Sequence, residues 1–258
     1  MPSSYAHYRF GAQLLPMLPR EVREIIEKHR RLYDVGLHGP DIFLYYDPVG
    51  KNRVTPLSAQ YHAQSGRVFF GRVCRQGLSE PEQAYLYGVL AHYSLDAMCH
   101  PFVYLHSQGE MAGHLALEAE FDRYLLEKDG KCPPHIQDCG KHLKLTEAEC
   151  AVVAGAYPEV TAREIDRSVR NMAWSLRQLA KPSPIFRKVM TFVLGFTPYR
   201  GLLMTEGPDP RFAQLDAELE ALYDQALELY PQLLEKVTAR LARGDELGEG
   251  FTGPFDIY

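Results

Sequence analysis

Five residues with metal-binding side chains lie close together in the middle of the chain. They are His92, Asp96, His100, His114 and Glu118, and they form the patterns H-x3-D-x3-H and H-x3-E within 27 residues. Imidazole nitrogens and carboxylate oxygens are ligands that suit zinc. A spacing of four places successive side chains on one face of a helix, so two neighbouring helices would bring all five together. The pattern therefore predicts a metal site.

The neighbours of His92 and Asp96 favour a metal site over an ordinary solvated helix face. Leu86, Leu90 and Leu95 flank the two polar residues, so His92 and Asp96 project from a helix that is apolar almost all round. Burying such polar groups without partners would cost several kcal/mol. A bound metal ion would supply the missing interaction.

Helical periodicity predicts the elements that position these residues. Ser79 and Glu82 match a capping box, and the helix that begins there is expected to run to about Cys99. Because Pro101 disfavours helical geometry in the preceding residue, His100 is expected at a helix end that faces a loop. A second helix is expected from about residue 114 to 128.

The rest of the chain is also predicted to be mainly helical. Further helices are expected over 20–33, 146–180 and 216–243, with a turn near residue 157 and a candidate break at Pro231. The segment 67–73 is the one plausible strand. We therefore predict an all-α fold with a single domain over 1–258, a C-terminal helical subregion at 146–243, and a flexible Gly- and Pro-rich tail at 244–258.

Composition describes a soluble globular protein. Apolar residues make up 46% of the 258 residues, and the net charge of −5 gives no general attraction for nucleic acid. No signal peptide is evident at the start and no stretch reaches the roughly 18 apolar residues that span a bilayer, so we expect a cytoplasmic protein. The odd number of cysteines, five, suits reduced thiols in that compartment.

Two segments allow alternative interpretations. The apolar stretch 189–204 is interrupted by Gly195 and Pro198, and it fits either a buried core helix, which we favour, or an interfacial segment. Cys132 and Cys139 have histidines nearby and could form a second zinc cluster. Because their spacing matches no familiar zinc site, a surface loop is the preferred interpretation.

The chain resembles the zinc-dependent phospholipase C family. The resemblance rests on the order of the five residues, the 13-residue gap between the last two histidines, and the preceding Gly39-Pro40-Asp41 and Tyr61-His62. It is strongest over residues 3–126, the expected metal-centre region. The resemblance implies a single-domain helical bundle of the zinc-dependent phospholipase C type that binds two or three Zn²⁺ ions.

The resemblance also implies roles for single residues. His92 and Asp96 would bind a pair of metals, with Asp96 bridging, while His100, His114 and Glu118 would bind a third. Asp41 resembles a loop aspartate that ligates metal and helps to activate water, which makes it the candidate catalytic residue. The remaining ligands by resemblance are His62 and His7. The chain differs from secreted members, whose processed N-terminal tryptophan binds zinc, because its one tryptophan is Trp174.

The expected function is that of a phospholipase C-like phosphodiesterase, an enzyme that hydrolyses phosphate esters, chiefly phospholipid headgroups, with metal-activated water. Two alternatives stay open: a zinc-dependent hydrolase of nucleotides or small phosphate esters, and a non-enzymatic zinc-stabilised binding protein. The expected partners are a phospholipid or small phosphodiester substrate and, through the segment 186–204, a membrane surface. No nucleic acid partner is expected.

Overall fold

The structure is a computed structural model that describes residues 4–48 and 50–255. This part of the chain contains α-helices and short 3-10 helices but no β-strand, so the all-α prediction is confirmed. The α-helices are α1 (Ser4–Leu14), α2 (Arg20–Lys28), α3 (Arg30–Gly36), α4 (Leu57–His62), α5 (Gly66–Val73), α6 (Glu80–Ser107), α7 (Met111–Lys128), α8 (Glu147–Gly155), α9 (Ala162–Leu179), α10 (Pro184–Gly195) and α11 (Ala213–Arg243). The 3-10 helices are Leu15–Met17, Gly39–Tyr45, Pro134–Ile136 and Glu249–Phe251.

Helix α6 lies at the centre of the fold and packs against α3, α7 and α11. Its crossing with α3 is very close, because a Cβ atom on Gly88 would lie only 2.3 Å from the carbonyl oxygen of Tyr33. Glycine is required at this crossing because any side chain would push the two helices apart. The close contact fixes α6, which carries three of the predicted ligands, against the N-terminal half of the chain.

The start of α6 follows the prediction, but its end does not. The predicted capping box is present: the backbone N–H of Ser79 donates to Glu82 at 2.8 Å. The helix continues through Pro101 to Ser107, so the expectation that His100 ends a helix is wrong. Proline removes one backbone hydrogen bond, and burial of Val103 in the next turn helps to stabilise the continued helix.

Three other boundaries differ from the predictions. The expected helix over 20–33 is divided at His29 into α2 and α3, while α11 runs without a break through Pro231. The segment expected as a strand is helix α5, which Ser65 caps by accepting a hydrogen bond from the Val68 N–H. Phe69 and Phe70 of α5 are buried, so core packing outweighs the strand preference of the local sequence.

The tail predicted to be flexible packs into the core as far as Phe255. Phe251 and Phe255 are almost fully buried and lie against the ring of Phe70, with centroids 5.1 and 5.9 Å away. The backbone N–H of Gly66 donates to the Gly253 carbonyl at 2.8 Å. The prediction of a flexible tail is therefore wrong for 244–255, since these aromatic residues offset the low order expected from glycine and proline. Residues 256–258 lie outside the described part of the chain.

Helix α10 is exposed, which corrects the favoured interpretation of its segment as core. Ile185, Phe192 and Phe196 are 77%, 68% and 79% exposed, and the helix contains no buried residue. None of the helices that the structure describes is long and apolar enough to cross a membrane.

Candidate metal centre

All eight predicted ligands come together in one region of the fold. His7 comes from α1, Asp41 from the 3-10 helix Gly39–Tyr45, and His62 from the last position of α4. The other five project from two neighbouring helices, as their spacing predicted: His92, Asp96 and His100 from α6, and His114 and Glu118 from α7. Seven of the eight are buried, and the His114 side chain keeps 14% of its surface exposed.

Asp96 occupies the middle of the cluster. Its Oδ1 atom lies 3.2 Å from Nε2 of His7. Its Oδ2 atom lies 3.1 Å from Nε2 of His92 and 3.5 Å from Nε2 of His62. The two carboxylate oxygens therefore face different sets of imidazoles, which is the arrangement a bridging ligand needs.

A second set of side chains joins α6 and α7. Glu118 Oε1 lies 3.2 Å from Nε2 of His100 and 3.3 Å from Nε2 of His114. A cavity of about 20 Å³ lies between this set and the His7 and Asp96 side chains, which is room for about one water molecule or ion.

Three groups of side chains have donor atoms spaced as metal ligands. Within each group the donor atoms all lie within 4.8 Å of one another. The first two groups share His92, so they form one overlapping cluster, whereas the third is separate. The groups are His7 with Asp41 and His92, His62 with His92 and Asp96, and His100 with His114 and Glu118.

The donor set fits a metal ion. Asp41 Oδ1 and Asp96 Oδ2 are buried, and each faces an imidazole nitrogen at 3.1 Å, from His62 and His92 respectively. Burying carboxylates this deeply is costly unless cationic or hydrogen-bonding groups compensate for the lost hydration. A cation held between these oxygens and the neighbouring imidazole nitrogens would remove the cost, and mixed nitrogen and oxygen donors suit zinc.

Burial and charge shift the pKa values of His92, Asp96 and Glu118 in the directions that metal binding needs. Burial lowers the pKa of His92 to about 4, which keeps this imidazole neutral. Burial alone would raise the pKa of Asp96, but the imidazoles of His100, His92 and His7 hold it well below its usual range. The pKa of Glu118 is also held well below its usual range against the effect of burial, with His114 and His100 among the causes. Both carboxylates are therefore ionised at neutral pH.

His62 differs from His92 in its protonation. Burial would lower its pKa, but the carboxylates of Asp41 and Asp96 raise it to about 10. Its Nδ1–H donates to the backbone carbonyl of Ser58 at 2.8 Å, which directs Nε2 toward Asp41 at 3.1 Å. Such a hydrogen bond on the far nitrogen is the usual way in which proteins orient a metal-binding histidine.

Two further residues position the ligands. A Cβ atom on Gly39, whose φ is +45°, would lie 2.4 Å from Cδ2 of His92, so only glycine allows the Gly39-Pro40-Asp41 turn to approach this imidazole. Asp122 accepts hydrogen bonds from the backbone N–H groups of Tyr5 and Ala6 at 3.0 and 2.8 Å. It therefore fixes the first turn of α1 beside His7.

The other histidines and cysteines lie outside the three groups. His38 Nε2 lies 2.7 Å from Nε2 of His142, and burial lowers the pKa of both imidazoles. In the described chain, Cys132 and Cys139 do not form a metal-binding group with nearby histidines, and Cys132 is exposed. The preferred interpretation of a surface loop thus fits this region better than a second zinc cluster.

Phe255 is a component of the site that no sequence pattern predicted. Its ring lies 6.3 Å from the ring of His62 and 6.2 Å from that of His92, measured between centroids. The tail therefore forms one apolar wall of the metal centre. A phenylalanine in a Gly- and Pro-rich tail has no periodic pattern that would have indicated this position.

Comparison with known families identifies the class of protein. The family model described as zinc dependent phospholipase C matches residues 6–180, more than half of the chain and all eight predicted ligands. The chain belongs to the zinc-dependent phospholipase C family. Neither the search of curated proteins nor the search of solved structures found a match. The family assignment indicates a zinc-dependent hydrolase of the phospholipase C type.

Proposed function

We propose that this protein is a phospholipase C-like phosphodiesterase that hydrolyses the headgroup phosphate ester of phospholipids. The observation that carries the proposal is the convergence of three groups of buried donor atoms in a chain of this family. A site built only to stabilise the fold would need one ion with four fixed ligands. Eight candidate ligands in three donor groups, two of which share His92, are better suited to several ions that act on one phosphate.

The proposed ligands are the eight residues predicted from sequence. His7, Asp41, His62, His92 and Asp96 would hold one or two ions in the overlapping cluster, since His92 belongs to both of its groups. His100, His114 and Glu118 would hold another. Both two and three Zn²⁺ ions are compatible with this set.

Bound zinc would supply activated water near neutral pH and neutralise charge on the phosphoryl oxygens. The protein's own groups would perform the remaining tasks. Asp41 is the proposed residue that orients the attacking water and accepts its proton, because its buried Oδ1 lies within the cluster, 3.1 Å from Nε2 of His62. The buried surroundings would exclude bulk water and strengthen every charge interaction at the site.

A soluble chromogenic phosphodiester tests the proposed activity without a lipid surface. Purified protein should hydrolyse it, lose the activity after chelation and recover it when zinc is returned. Comparing phosphocholine, phosphoethanolamine and nucleotide diesters at equal concentrations distinguishes the proposed substrate class from the nucleotide alternative. A zinc-loaded protein that hydrolyses none of them would contradict the enzymatic proposal and favour a zinc-stabilised binding protein.

A further inference from the structure

Helix α10 exposes a continuous apolar surface, which we call the α10 face. The spacing of four, three and four residues along the helix places its main members on one side. Their exposure is far above that of ordinary helix residues, from 51% at Val193 to 79% at Phe196. The face consists of Ile185, Val189, Phe192, Val193 and Phe196.

The helix that carries this face is firmly attached to the protein. Arg187 extends inward and donates hydrogen bonds to the backbone carbonyls of Leu179 and Met204. A Cβ atom on Gly201 would lie 2.3 Å from the Ala112 carbonyl oxygen, so the chain after α10 packs tightly against α7. The apolar side chains are thus presented outward by a fixed element.

The α10 helix and the residues that flank it carry basic side chains. Residues 181–205 contain Lys181, Arg187, Lys188 and Arg200 but no aspartate or glutamate, in a chain whose net charge is −5. Arg187 extends inward and Arg200 pairs with Glu110 at 3.2 Å, so Lys181 and Lys188 are the exposed cations of this segment that remain. Apolar side chains combined with basic ones are typical of segments that bind anionic membrane surfaces.

The α10 face adjoins the exposed edge of the metal centre. Phe196 and Arg200 line a shallow depression together with Met111 at the start of α7, and Met111 is 49% exposed. His114, the candidate ligand with the most exposed side chain, follows one turn later on the same helix. A surface bound at the α10 face would therefore lie next to the accessible side of the site.

We propose that the α10 face docks the protein onto a phospholipid surface that carries anionic headgroups. The choice of a lipid surface rests on the proposed function, because a bilayer holds the substrate of the adjoining site. A second copy of the chain is the less suitable occupant. In a two-fold dimer this face would meet itself and bring its own cations together.

Vesicle flotation tests the docking surface independently of hydrolysis. Zinc-loaded wild type should float with vesicles of phosphatidylcholine and phosphatidylserine, and the double variant Phe192→Ser with Phe196→Ser should bind at least about tenfold more weakly. The matched control replaces two exposed apolar residues elsewhere, Met17→Ser with Val68→Ser, and should bind as wild type does. Lys188→Glu should weaken binding by about fivefold or more, and added salt should reduce this difference.

The outcomes separate docking from the proposed activity. Wild-type flotation of a folded Phe192→Ser, Phe196→Ser protein would overturn the docking proposal. A second result would also overturn the proposal: wild type binds no vesicles, and light scattering shows a dimer that this double variant, but not the control, dissociates. Vesicle binding without hydrolysis of any diester would leave docking supported and contradict the proposed activity. Hydrolysis of soluble diesters without vesicle binding would support the proposed activity and contradict docking.

Discussion

Asp96 shows at the scale of a single residue why this site calls for metal. It is a buried carboxylate whose two oxygens are approached by imidazoles from different directions, with distances of 3.2 Å to His7 and 3.1 Å to His92. An ionised group at this depth is tolerated only with strong compensation. The surrounding imidazoles supply part of it, and the proposed zinc ions would supply the rest.

Replacing Asp41 should separate metal binding from catalysis. The Asp41→Asn side chain keeps an oxygen that can ligate zinc, but it cannot accept a proton. We expect the variant to retain at least part of its zinc and to lose turnover by roughly a hundredfold or more. Metal analysis and initial rates on the soluble phosphodiester measure the two effects.

Asp47→Asn is the matched control for Asp41→Asn. Asp47 lies just after the same 3-10 helix, and its side chain is partly exposed. It should keep both zinc and turnover. Full turnover of Asp41→Asn at wild-type zinc loading would exclude the proposed role of Asp41.

Asp216 provides a pH-dependent prediction that does not involve the metal ligands. This residue in the first turn of α11 is 3% exposed, and its Oδ1 has no hydrogen-bond partner in the described chain. Burial and the nearby Glu120 raise its pKa to about 7, against the opposing effect of Arg123. Because the folded protein holds this proton more tightly than the unfolded chain, ionisation of Asp216 reduces stability as pH rises from about 4 to 7.

The Asp216→Asn variant does not titrate, so it should be more stable than wild type by about 1–2 kcal/mol near pH 8. The difference should shrink near pH 5, where wild-type Asp216 holds its proton in the fold. Urea unfolding at the two pH values measures this difference in the free energy of unfolding. The contributions of other titrating groups largely cancel because both proteins contain them. A difference that grows toward low pH would contradict the assigned direction.

At the scale of elements, the predictable part of the site is the part carried by helices. The four-residue spacings fix His92, Asp96 and His100 on one face of α6, so their convergence followed from helix geometry alone. His7, Asp41 and His62 come from three other elements with no periodic relation to α6, and only the family resemblance indicated them.

The errors in predicting the elements have physical causes. Local sequence rules placed a helix end near Pro101 and a strand at 67–73, while packing around Val103 and Phe69 supports helix in both places. The apolar α10 segment was expected in the core because sequence alone does not distinguish a buried apolar helix from an exposed one. The tail was misjudged because its composition concealed two core phenylalanines.

Phe255 should prove to be a structural residue of the tail. Phe255→Ala removes a buried ring that contacts Phe69, Phe70 and Tyr93, and should lower the free energy of unfolding by about 3 kcal/mol or more. Phe192→Ala on the exposed α10 face is the matched control and should leave stability nearly unchanged. Equal stability of the two variants in urea unfolding would show that the tail does not pack as described.

At the scale of the whole molecule, the fold gathers the candidate metal centre from five separate elements. Helix α1 brings His7 against α6, Asp122 of α7 fixes the start of α1, and the tail covers His62 and His92 from another side. Metal binding should therefore couple to global stability, and chelation should lower the melting temperature of the wild type.

The metal-to-protein ratio of three proteins tests the central claim most directly. Plasma emission spectroscopy of the purified wild type should give two or three zinc ions per chain, as the overlapping ligand groups allow. Asp96→Asn and His114→Ala should each bind fewer ions, whereas the control His106→Ala, which replaces an exposed histidine near the end of α6, should match wild type. A wild type without zinc, or wild-type ratios in both Asp96→Asn and His114→Ala, would contradict the assignment of this cluster as a zinc centre.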